Sequence, residues 1–80
     1  AISTRVYPNP SKGNVLISAN GNQNENIEFI VTNLIGQTVL RGLVSENGEE
    51  TITIKNNGIY FVSILKNGNA IATEKVIVAQ

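Results

Sequence analysis

The sequence predicts an all-β chain, and three observations carry that reading. No window of about eleven residues places apolar side chains at the i, i+3, i+4, i+7 spacing of an amphipathic helix. What recurs instead is short apolar alternation bounded by Asn and Gly, the period-two pattern of half-buried strands. Four Asn-Gly pairs punctuate that pattern, at Asn20-Gly21, Asn47-Gly48, Asn57-Gly58 and Asn67-Gly68. Asn-Gly suits the positive φ angles of a type I′ hairpin turn. The last three pairs recur every ten residues, which leaves one strand's length between turns and predicts an antiparallel meander.

The elements follow in order. The first strand is expected near Thr4–Tyr7, ended by Pro8 and Pro10, which have no N–H to give a ladder. The second, Asn14–Ala19, sets Val15 and Ile17 on one face, and a polar loop from Asn20 to Asn26 follows it. The third, Ile27–Asn33, alternates Ile27, Phe29 and Val31 against Glu28, Ile30 and Thr32. A turn at Leu34-Ile35-Gly36-Gln37, with Gly36 supplying a positive φ, leads into the fourth strand, Thr38–Val44. In the fifth, Glu49–Lys55, Ile52 and Ile54 point inward and Thr51, Thr53 and Lys55 outward. The sixth, Ile59–Lys66, places Tyr60, Val62 and Ile64 on one face and Ile59, Phe61, Ser63 and Leu65 on the other. The seventh, Ala70–Ala79, alternates Val76 and Val78 with Lys75 and Ile77.

Seven short strands in 80 residues cannot cover both faces of one flat sheet. Two sheets packed about 10 Å apart can. The expectation is therefore an immunoglobulin-like antiparallel β-sandwich of about seven strands in a single domain spanning residues 1–80, with a small open barrel as the alternative. Apolar residues on both faces of the last two strands mark central strands, or a face that contacts something else.

Composition removes most function classes. The chain has no His, Cys, Met, Trp or Asp. A Ser–His–Asp or Cys–His arrangement cannot be assembled without those residues, and the commonest general base at neutral pH is missing. Glu49 and Glu50 are adjacent, so on a strand they point to opposite faces rather than converging on one bond. The chain is expected not to be an enzyme. Zinc lacks its usual ligands, and a calcium loop would have to be built from Glu, Asn and carbonyls in the Asn20–Asn26 segment. Neither a metal nor another cofactor is expected. Ser11-Lys12-Gly13 is too short and isolated to cradle a phosphate.

Partners can be narrowed in the same way. Six basic and six acidic residues give zero net charge, and the basic ones are scattered, so the electrostatic footprint of nucleic-acid binding is absent. No apolar run approaches the roughly 20 residues of a membrane span. The chain starts at Ala1 rather than Met and has no signal-peptide pattern, so it is expected to be an excised piece or a processed product. A carbohydrate-binding module would need exposed rings. Phe29 and Tyr60 sit at inward positions, which leaves Tyr7 and Phe61 as the candidate platform. Unprotected edge strands leave room for a weak strand-mediated dimer.

Four segments then carry a family resemblance: Val6-Tyr7-Pro8-Asn9-Pro10, Ile35-Gly36-Gln37 with Val39, Gly58-Ile59-Tyr60-Phe61-Val62, and Glu74-Lys75-Val76-Ile77-Val78. In order and spacing they resemble the type A C-terminal sorting domain of the type IX (Por) secretion system. The likeness implies a folded, non-catalytic address label on an upstream cargo domain. It implies recognition by the outer-membrane translocon, with a shuttle protein and a sortase as further partners. The cargo would pass through the periplasm and end at the cell surface or secreted, and the domain would usually be cleaved off. The resemblance points to Gly58, Tyr60, Lys75, Val76 and Val78 as recognition residues. On physics alone Lys75 is a gatekeeper against edge-to-edge pairing. The alternative function is an accessory spacer, an adhesin, or a carbohydrate-binding module of a surface protein.

Overall fold

Alternation becomes ladder in the computed structural model, which describes residues 3–7, 10–20, 26–45 and 47–80. The strands are β1 (Ser3–Tyr7), β2 (Asn14–Asn20), β3 (Ile27–Thr32), β4 (Thr38–Leu43), β5 (Glu49–Thr53), β6 (Gly58–Lys66) and β7 (Asn69–Val78). They form a three-stranded sheet in the order β1-β2-β5 and a four-stranded sheet in the order β4-β3-β6-β7, antiparallel throughout. No helix interrupts them among the described residues.

The inward faces make one core. Val15 and Ile17 of β2 and Ile52 of β5 meet Phe29 and Val31 of β3, Val62 and Ile64 of β6, and Val76 and Val78 of β7. Ile54, just beyond β5, joins the same cluster. Two facing sheets with a shared apolar interior are a β-sandwich, as the strand count predicts.

The connections depart from the meander. β4 and β5 lie in different sheets, and so do β5 and β6. Asn47-Gly48 and Asn57-Gly58 are therefore crossings between layers and do not form hairpins. The backbone gives the reason. A type I′ turn needs positive φ at both central residues. Asn67 (φ 51°) and Gly68 (φ 85°) meet that demand and join β6 to β7. In the other two pairs the glycine alone is positive, at 85° in Gly48 and 151° in Gly58. Pro8, Asn9 and the interior of the Asn20–Asn26 loop lie outside the described residues.

β6 is the central strand that its two apolar faces suggest, flanked by β3 and β7, whereas β7 forms an edge. Gly42 on β4 stands opposite Phe29 in the β3–β4 register. A Cβ there would lie 3.0 Å from the Phe29 ring, so the missing side chain is what lets the ring lie against β4. The two candidate sugar-stacking rings do not meet. Val6 packs on the core, so Tyr7 points outward from the three-stranded sheet, where the Arg5 guanidinium lies 4.7 Å from its ring centre. Phe61 alternates with buried Tyr60 and Val62, so it faces outward from the other sheet.

Candidate functional site

The β6–β7 register assembles the residues singled out from the sequence. Gly58 pairs with Val78, Tyr60 with Val76 and Phe61 with Lys75. All five candidates thus gather at one end of one hairpin, and the pleat then divides them. Tyr60, Val76 and Val78 point into the core and are buried, while Lys75 and Gly58 are exposed. Tyr60 keeps its hydroxyl at the core's margin, donating to the Asn56 carbonyl at 2.9 Å and so fixing the β5–β6 crossing. Gly58 begins β6 at a φ of 151°, which an L side chain rarely adopts, although a Cβ would meet only ordinary contact with the Tyr60 ring. Backbone conformation, not space, therefore makes this position a glycine.

On the outer face of the sheet Lys75 has an apolar flank on one side and the hydrogen-bonded Ser63–Thr73 pair on the other. Phe61 stands across from it, and Ile59 pairs with Ile77 on the same face. A cation set beside an aromatic ring on the outward face of an edge strand blunts that edge against indiscriminate pairing. It also marks a distinctive surface.

The last residues are fastened by partners that sequence reasoning missed. The Ser11 N–H donates to the Ile77 carbonyl (2.8 Å), and the Ala79 N–H donates to the Ser11 carbonyl (2.8 Å). Together they form a single parallel rung between Ser11 and Val78, outside the named strands. Ser11 is 2% exposed, and its hydroxyl donates to the Asn14 carbonyl (2.9 Å) while accepting the Gly13 N–H (3.0 Å). The Gln80 N–H donates to Asn57 Oδ1 (2.9 Å), and its side-chain amide donates to the carbonyls of Lys55 (2.9 Å) and Ile54 (3.3 Å). Val78 belongs to one sheet and the β1–β2 connection to the other, so this end of β7 ties the two layers. Ser11 carried a weak local signal as a turn-forming residue. Nothing nearby in the chain announces that its partners are residues 77 and 79.

No group of three or more His, Cys, Asp or Glu side chains gathers among the described residues.

The model of the family described as secretion system C-terminal sorting domain matches residues 5–79, nearly the whole chain. The chain belongs to that family. It is thus a type IX secretion C-terminal sorting domain, a class that acts as a signal for export to the cell surface or beyond it. Among curated proteins, none matches this sorting domain. The matched span contains both halves of the β6–β7 hairpin as well as Ser11, its clasp, so the family pattern extends over both sheets.

Proposed function

We propose that the folded sandwich, rather than a linear stretch of it, is the export address. In this reading an upstream cargo domain reaches the periplasm, and the type IX translocon in the outer membrane recognises the folded domain with the help of a shuttle protein. A sortase then removes the domain, and the cargo is left on the surface or released. Recognition centres on Lys75 and the apolar Phe61, Ile59 and Ile77 on one flank of it, with Gly58, Tyr60, Val76 and Val78 holding that end of the hairpin in shape. The observation that supports this most is the family match over residues 5–79, which takes in both sheets and not the last strand alone. The reading is non-enzymatic, in keeping with a family of secretion signals.

The glycan-binding alternative has lost its platform, since Tyr7 and Phe61 face opposite sides of the sandwich. The test is to append these 80 residues to a fluorescent reporter that carries a signal peptide, in a bacterium with a working type IX system. Release that depends on the translocon supports the sorting role. Retention of an intact, folded fusion in the periplasm favours a spacer or adhesin.

A further inference from the structure

Among the described residues, five of the seven exposed large apolar side chains fall within one stretch: Leu34, Ile35, Val39, Leu40 and Leu43. Leu34 and Ile35 stand 65% and 79% exposed at the tip of the β3–β4 hairpin. That tip is rigid. Asn33 Oδ1 accepts the N–H groups of Ile35 (3.1 Å) and Gln37 (3.0 Å), and its amide donates to Gln37 Oε1 (3.0 Å). Backbone bonds from Asn33 to Gln37 and from Gly36 to Asn33 close the same turn.

β4 then runs along an open edge of the four-stranded sheet. Val44 donates to the Ile27 carbonyl (2.9 Å), so by antiparallel alternation Gly42 and Leu40 face β3. Arg41 and Leu43 accordingly turn their N–H and C=O groups toward the side where no described strand pairs. Beside this edge, between β4 and the β5–β6 crossing, lies a cleft of about 220 Å³. Val39, Leu40, Ile54 and Tyr60 wall it, and among the described residues Lys55 is the one charged residue that lines it. The cleft is smaller than the roughly 300–1,000 Å³ of small-molecule sites and suits a single large apolar side chain.

We propose that the β4 edge and this cleft dock an extended acidic segment of a partner protein. The segment adds a strand through Arg41 and Leu43, seats one apolar side chain against Leu40 and Tyr60, and sets a carboxylate against Lys55. Charge selects this occupant. Among the described residues the edge and the cleft contribute Arg41 and Lys55 and no carboxylate, and Arg41 already has Glu28 at 3.7 Å. A second copy laying its β4 on this one brings another Arg41 and nothing to answer Lys55, because Thr38–Leu43 contains no acid. The proposal rests on the sorting reading for the partner's source, the secretion machinery.

The test is a titration of the isotope-labelled chain with an alternating Leu–Glu peptide, and with its Leu–Gln and Leu–Lys counterparts, followed by NMR. Expected are amide shifts at Arg41 and Leu43 and methyl shifts at Val39 and Leu40. The Leu–Glu peptide should bind about threefold tighter than Leu–Gln at low salt, a margin set by one exposed ion pair, and Lys55→Gln should erase it. Shifts confined elsewhere, equal affinity for all three peptides, or peptide-free self-association through the same amides would each overturn the proposal. In the export assay, Lys55→Glu with Leu40→Ser should lower release while the fold, checked by thermal unfolding, persists. Undiminished release of that variant counts against the docking surface. Failure of the unaltered chain to drive release counts against the sorting role and leaves the peptide result standing.

Discussion

Gly42 shows how one absent side chain can settle a packing problem. With a Cβ 3.0 Å from the Phe29 ring, Gly42→Ala forces either the ring or the edge strand to move. It should cost about 1–3 kcal/mol, read from the midpoint of urea unfolding. Phe29→Leu in the same chain should recover part of that loss, because the two changes share a contact. Gly36 is a useful contrast. A Cβ there meets nothing within 4 Å, so Gly36→Ala should cost roughly 1–2 kcal/mol through its φ of 88° alone, with no recovery from Phe29→Leu. From sequence, a glycine inside a strand hints at close approach. The ring it accommodates becomes visible only with the β3–β4 register, which local pattern does not contain.

Strands and faces were legible because alternation is a local property. Ile27, Phe29 and Val31 are buried on β3, and Tyr60, Val62 and Ile64 on β6, as the period of two requires. The order in which strands pair was less legible, because an Asn-Gly pair fits a layer crossing as well as a hairpin, and the deciding φ of the Asn depends on tertiary context. The five candidate recognition residues were found one by one, yet their gathering on one hairpin, and the burial of three of them, had to come from the ladder. Lys75→Ala separates shape from recognition at this element. As an exposed change away from the core it should shift stability by no more than about 0.5 kcal/mol. Release of the reporter should fall markedly if Lys75 is a contact, and stay unchanged if the residue serves only to blunt the edge. Ser11→Ala tests the clasp on the same strand. It leaves the buried Gly13 N–H without its acceptor and should cost about 1–3 kcal/mol, with faster hydrogen exchange at Gly13 and Ala79.

The molecule as a whole rests on β7 more than an edge strand's position suggests. Removing residues 76–80 deletes Val76 and Val78, both nearly inaccessible to solvent, and each worth about 1.5–3 kcal/mol of burial. The rung to Ser11 and the Gln80 bonds go with them. Against a total of roughly 4–12 kcal/mol for 80 residues, that loss should leave the chain largely unfolded, seen as collapsed amide dispersion in both sheets. Single changes at the rim should not do this. The tie between Val78 and Ser11 also has a consequence in time. A ribosome delivers residues 76–80 after residues 1–75, so the sandwich cannot close before they have emerged. On the proposed reading, a product cut short within the domain carries no assembled label, and a machine that reads the folded shape passes it over. In that reading the clasp makes the address a receipt for a completed domain.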